Sequence, residues 1–421
     1  MTGSSDDPTG RPDPHGPDAR PGFRHVLREP QFRALWLAQL LSVLGDQVAR
    51  VALTVLVFTV TASAALTALT YALTFLPDLV AGPLLSGLAD RLPRRATMIV
   101  ADVLRAGLLV VMALPGLPLP VVGALLVAVQ MIAAPFNASR AAILPHVLTG
   151  ERYVVGSALL GTTYQAAQVL GFALGGPLVA LLGVPTALLV DAATYVASAL
   201  LLAAGVREQR PDRGEHTSRT QLVAGLRVVA GDPRLVVLVG LACVSAFVVT
   251  VEGLAAPYAA FLGDGPTTVG LLLAANPLGT VLGIVALTRL VAPARRPAWL
   301  GPLAVASCVP LVGSAFDPGT GVVVALWALS GVACAYQVPA NAAFVAAVPD
   351  AHRGQAFGLA VTALRVTQGV GVLASGLLAQ ALDPPRAVAI AGAAGVVVAL
   401  GGAVWWSRVR TPPPPQDAAT A

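Results

Sequence analysis

Residues 86 to 95 read Ser86-Gly-Leu-Ala-Asp90-Arg91-Leu-Pro-Arg94-Arg95, a tight charged turn between two long apolar runs. Four charged side chains crowd one short connection, in a chain that carries few charges elsewhere. Such a turn must lie in water at a membrane face. Its arginines assign that face to the cytoplasm, because positively charged loops are retained inside.

Working outward, the composition carries the same message. Of 421 residues, 56% are hydrophobic and 11% charged, against roughly 25% charged in soluble domains. There is too little charge to cover a water-facing surface, so a polytopic membrane protein is expected. The net charge of +5 is no nucleic-acid signal, since the arginines gather at the ends of apolar runs and form no basic face. Cys243, Cys308 and Cys334 lie in apolar runs without paired spacing and read as small buried hydrophobes. The five histidines form no ligand cluster, so neither a metal nor a cofactor is expected.

Residues 1–30 are rich in Asp, Pro, Gly and Ser and lack an apolar centre, which predicts a disordered tail. Twelve apolar runs follow, at about 34–60, 65–88, 96–114, 119–136, 154–180, 184–205, 235–258, 268–290, 298–316, 321–340, 355–380 and 386–406. Each is near the ~20 residues needed to cross a bilayer. Alternate connections carry the arginines, among them Arg140 and Arg152, the run from Arg207 to Arg234, Arg295 and Arg296, and Arg353, while the others are short and nearly uncharged. That asymmetry predicts an even number of spans with both termini cytoplasmic. In lipid only a helical bundle satisfies every backbone group of such a chain.

The polar stretch 206–233 divides the spans into two sets of six, and landmarks recur across it. Pro77 returns as Pro277 and Arg94-Arg95 as Arg295-Arg296. Pro135-Phe-Asn137 is answered by Pro339-Ala-Asn341, and Pro145 by Pro349, so the offset stays between 200 and 204. The expected division is a cytoplasmic tail (1–30), a six-helix bundle (31–205), a linker (206–233), a second bundle (234–407) and a tail (408–421). The fold class is therefore all-α: twelve transmembrane helices in two pseudo-symmetric six-helix bundles.

The opening turn resembles the signature loop between helices 2 and 3 of the major facilitator superfamily, matching at Leu88, Ala89, Asp90, Arg91, Arg94 and Arg95. It departs from it at Ser86 and Pro93, where that loop has glycines. Parallel six-span repeats are also the internal symmetry of these transporters. Leu41-Ser-Val-Leu-Gly-Asp46-Gln and Arg140-Ala-Ala-Ile-Leu-Pro145 look like the macrolide and siderophore exporter branch. Gly171-x-x-x-Gly175-Gly176-Pro177 is similar to the span-5 motif of drug/proton antiporters, and equally suits plain close helix packing. The arginine that many proton antiporters carry in span 4 has no counterpart between Val121 and Ala134. The resemblance implies that Asp90, with Arg91, Arg94 and Arg95, acts as a conformational latch against the start of span 11.

A charge at the bilayer centre costs about 2.5–3.5 kcal/mol on insertion scales, so each one needs a reason. Asp46 falls near the middle of span 1, with Arg50 one turn on, and reads either as a titratable carboxylate of the transport cavity or as half of a self-neutralising Asp46–Arg50 pair. Glu252 of span 7 is the second candidate for proton coupling. Asp78 of span 2 and Arg365 of span 11 fall at similar depth and are expected to pair between the halves, Arg365 alternatively meeting an anionic substrate. Asp102 and Arg105 read as supports for the charged loop, Asp191 as lying toward the outer end of span 6, and Asn137 and Asn341 as caps.

No phosphate loop, nucleophile triad or metal-ligand spacing is present in the sequence, so no enzyme is expected. The expected function is proton-coupled export of a small amphipathic or hydrophobic compound by a monomer in the plasma membrane. Its partners would be that substrate, the lipid bilayer and protons, without nucleic acid. An uptake permease or uniporter of the same fold, or a non-transporting membrane scaffold, remain the alternatives.

Overall fold

The computed structural model describes residues 23–77, 92–209, 218–349 and 352–410, with backbone alone over 218–224. Asp78, Asp90, Arg91 and most of the charged turn lie outside the described residues. The protein is all-α. Nine stretches among the described residues are long and apolar enough to cross a membrane. One of them, Glu151–Gly205, holds two spans, and the helices Ala64–Ala72 and Arg94–Met112 belong to two more, giving twelve.

In chain order, span 1 is Pro30–Thr61, span 2 begins with Ala64–Ala72, span 3 is Arg94–Met112 and span 4 Leu119–Val147. Spans 5 and 6 fill Glu151–Gly205 and meet at Gly183 (φ 80°, ψ 169°), a backbone conformation that glycine adopts freely. A helix at Ser218–Gly231 precedes span 7, which is built of the pieces Pro233–Cys243, Ser245–Val248, Thr250–Gly253 and Ala255–Phe261. Span 8 is Pro266–Leu290, and span 9 centres on Leu300–Val312. Span 10 is Thr320–Cys334 with Gln337–Ala347, span 11 Arg353–Ala381 and span 12 Pro384–Val409.

Twelve crossings bring Phe23 and Arg410, the first and last described residues, to one face, called here the terminal face. There the Arg207 amide donates to Gln31 Oε1 (3.1 Å), and Arg234 Nε donates to the carbonyl of Val409 (3.1 Å). At the opposite face the connections are short, from Gly183 alone between spans 5 and 6 to the six residues 113–118 between spans 3 and 4.

Three expectations need correction. The expected tail is ordered at its end: Phe23–Val26 is a helical turn, and Val26 is buried among Phe32, Leu144, Leu148 and Leu160. Span 4 does not stop at residue 136, because its helix continues through Pro135 and Pro145 to Val147. Membrane helices tolerate such prolines, since neighbouring groups re-satisfy the freed carbonyls. Arg140 is therefore a residue of span 4, and Asn137 is an exposed position within the helix instead of a cap. Asn341 likewise lies inside Gln337–Ala347.

Without a hydrophobic drive between helices in lipid, close backbone approach holds the bundle together. Gly171 and Gly175 lie against span 1, where added Cβ atoms would come 2.8 Å from the Leu44 carbonyl oxygen and 3.2 Å from Val48 Cα. Gly176, one residue on, faces the other half: a Cβ there would fall 2.7 Å from the Pro266 carbonyl oxygen and 3.0 Å from Gly270 Cα. The glycine motif is thus a packing device with two faces, one within a half and one between halves. The halves also meet where Gly376 of span 11 packs on Ala64 and Ala68 of span 2, and where Ser63 Oγ donates to Gln380 Oε1 (3.0 Å). These contacts all lie toward the opposite face.

Candidate functional site

Two polar clusters occupy the middle of the bundle. The first lies within the first half, between spans 1, 3 and 6. Tyr195 donates its hydroxyl proton to Asp46 Oδ1 (2.5 Å), and Ser198, one turn on, donates to Asp102 Oδ2 (2.6 Å). Arg105 stands between the two carboxylates, 3.7 Å from Asp46 Oδ1 and 3.8 Å from Asp102 Oδ1, with its guanidinium 4.2 Å from the centre of the Tyr195 ring. Asp191 adjoins the same group: a Cβ on Gly45 would come within 2.2 Å of Asp191 Oδ1 and of Thr194 Oγ1. Asp102, Arg105 and Asp191 are buried, whereas the Asp46 side chain is 30% exposed.

Asp46 thus takes Arg105 as its ion-pair partner, and no Asp46–Arg50 ion pair occurs among the described residues. Asp102 and Arg105 face inward to spans 1 and 6, and Asp191 lies against span 1 at Gly45, beside Asp46.

The second cluster joins the halves. Tyr71 of span 2 donates its hydroxyl proton to Glu252 of span 7, and both are buried. Arg50 of span 1 lies over the Tyr71 ring, 6.0 Å from its centre, and donates to Gln47 Oε1 (3.3 Å). Glu252 belongs to the four-residue helical turn Thr250–Gly253, with breaks in span 7 on either side. Interrupted helices near the midplane are where transporters of this type place substrate and ion contacts. Nearby, the Arg365 guanidinium sits 5.4 Å from the centre of the Phe75 ring, which joins spans 11 and 2.

Arg94 and Arg95 bind within their own half. Arg94 Nη1 donates to the Ala142 carbonyl on span 4 (3.2 Å), and Arg95 donates to the Ala203 carbonyl on span 6. Glu208 accepts from the Arg95 amide at 3.2 Å. Tyr71 and Tyr195 escaped the sequence reading. Their signal was a phenol in the middle of an apolar run, where the hydroxyl needs a partner. Cys308 and Cys334 are buried as expected and Cys243 half-buried, all three as free thiols. No group of three potential metal ligands occurs among the described residues.

Two bundles of six spans, closed against each other at one face and carrying buried charges at mid-depth, define the architecture of a secondary transporter. The family model for the Major Facilitator Superfamily matches residues 35–263 and 238–421, and the chain belongs to that superfamily. No curated protein matches it in sequence. Among solved structures, a bacterial homologue of the human lysosomal transporter Spinster shares 16% identity at a TM-score of 0.71, over 90% of this chain and 96% of that one. A POT family transporter in complex with 5-aminolevulinic acid shares 13% identity at 0.70, over 93% and 99%. The nucleoside transporter NupG shares 16% at 0.70, over 88% and 99%. At these identities the likeness is one of fold.

Proposed function

We propose that this membrane transporter is a proton-coupled exporter of a small amphipathic or hydrophobic compound, working by alternating access as a monomer in the plasma membrane. The arginine-rich terminal face lies in the cytoplasm on this reading, and the described contacts between the halves lie toward the opposite face. The observation that carries the reading is Asp46. Its carboxylate is held by Tyr195 and Arg105 yet keeps 30% of its side-chain surface exposed, so it can exchange a proton with cavity water. Glu252, buried against Tyr71 between the halves, is the second coupling carboxylate, because any motion that parts the halves must break its bond.

The test is substrate-dependent proton release from inverted vesicles, screened against a mixed panel of drugs and iron chelators. Substrate carried into the inverted vesicles by the native chain should release protons to the external medium and acidify it, and Asp46→Asn should abolish uphill transport while retaining downhill exchange. Accumulation without proton movement would point to a uniporter. Uphill export by Asp46→Asn would move the coupling to Glu252.

A further inference from the structure

Asp46, Asp102 and Asp191 converge from spans 1, 3 and 6 on a single guanidinium, that of Arg105. Arg105 is within ion-pair distance of Asp46 and of Asp102. Asp191 has no such cation among the described residues, and its carboxylate accepts from Thr194 Oγ1 of its own helix at 3.2 Å. Asp191 is also the more enclosed of the pair, 2% exposed. It lies against the backbone of span 1 at Gly45, the residue beside Asp46, in a space that a Cβ would fill. An ionised carboxylate buried without a cation is far costlier than a protonated one. The charged and titratable groups that act on it are Asp46 and Arg50 from span 1, Arg105 from span 3 and Tyr195 from its own span. Ser42, one turn from Asp46 on the same face of span 1, contributes a buried hydroxyl without a hydrogen-bond partner.

We infer that Asp191 holds a proton and shares it with Asp46, so that the coupling site is a carboxyl pair on spans 1 and 6. In the transfer, the O–H bond at Asp191 breaks, one forms at Asp46, and the negative charge passes to Asp191. Asp46 is the member that water reaches, and Asp191 the member that stores. Arg105 holds the charge that remains, with Asp102 as its second counter-ion. Two interacting carboxyls bind and release protons as a unit. The use of this proton in transport rests on the proposed antiport, whereas the protonated state rests on the cluster alone.

Infrared absorption of the purified full chain, without substrate, tests the inference. A protonated-carboxyl band should persist at neutral pH and vanish in Asp191→Asn with the thermal midpoint retained. Proton release on raising the pH from about 6 to about 9, above the ordinary carboxylate range, should fall by one per chain in that variant. Gly45→Ala, which pushes the Asp191 carboxyl aside, should shift or abolish the same band. An unchanged band and proton count in Asp191→Asn overturns the proposal. So does displacement of the proton by added sodium at constant pH, which would make the cluster a metal-cation site. A native chain that shows the band but moves no protons with any transported compound supports the pair and refutes the antiport.

Discussion

Tyr71 and Glu252 are bonded to each other across the two halves, the phenol of span 2 donating to the carboxylate of span 7 in a buried setting. Each belongs to a different bundle, so the bond exists only while the halves are closed at this depth. Removing a donor to a charged, buried acceptor costs about 1.5–3 kcal/mol. Tyr71→Phe should therefore weaken closure at the opposite face by roughly tenfold or more. A Ser63→Cys, Gln380→Cys pair reports this directly, because those side chains meet at 3.0 Å. Its disulfide yield should drop when Tyr71→Phe is added.

Gly176 and Gly270 bring the backbones of spans 5 and 8 together between the halves. A methyl group on Gly176 would strike backbone atoms of span 8, which cannot swing away as a side chain can. Overpacking of this kind costs about 1–3 kcal/mol, and here it falls on one state of the transport cycle. Gly176→Ala should reduce turnover and cross-linking of the same cysteine pair, with expression retained. Normal cross-linking would mean that span 8 yields.

Arg105 neutralises two carboxylates at once. Breaking a buried pair by removing one partner costs about 3–5 kcal/mol. Arg105→Met should lower the thermal midpoint sharply, and Asp102→Asn in the same chain should recover part of the loss. No recovery would show that Arg105 acts instead by packing against Tyr195 and Phe136, whose ring centre is 6.0 Å from its guanidinium.

Asp78 and Arg365 are proposed to pair between spans 2 and 11; Asp78 itself lies outside the described residues, and the neighbouring described contact is with Phe75. The Arg365 guanidinium lies over that ring, three residues before Asp78 in sequence. Each single reversal, Asp78→Arg or Arg365→Asp, should abolish transport, and the double exchange should restore part of it. If the double variant is no better than Arg365→Asp while Asp78→Asn is harmless, Arg365 belongs to the substrate site.

Asp90 is proposed as a latch to the start of span 11, where an anion near a helix N-terminus gains about 0.3–1 kcal/mol. Asp90→Asn should slow transport and leave substrate affinity and expression near normal. Full turnover in that variant would remove the latch.

Much of this organisation was legible in the chain. Apolar runs of bilayer length, arginines on alternate connections and landmarks repeated about 200 residues apart led directly to twelve spans in two sets. Charges inside those runs pointed to Asp46 and Glu252, because lipid makes every such residue answerable for its cost. What could not be read was which helices adjoin. Asp102 and Arg105 are an i, i+3 pair in span 3, and nothing in their spacing shows that Asp46 lies opposite. The same holds for Tyr195 and Ser198, whose role comes from the face that span 6 turns toward span 1. The helix of span 4 runs through Pro135 and Pro145 to Val147, past the apolar run that ends near residue 136, because a bundle can satisfy the freed carbonyls.

The short connections at the opposite face have one more consequence. Spans 5 and 6 turn on Gly183, spans 1 and 2 on Ala62 and Ser63, and spans 11 and 12 on Leu382 and Asp383. Almost no polypeptide projects there, so an antibody or protease approaching from that side meets helix ends and little epitope. Immunological or affinity handles inserted at these points would lengthen links with no slack.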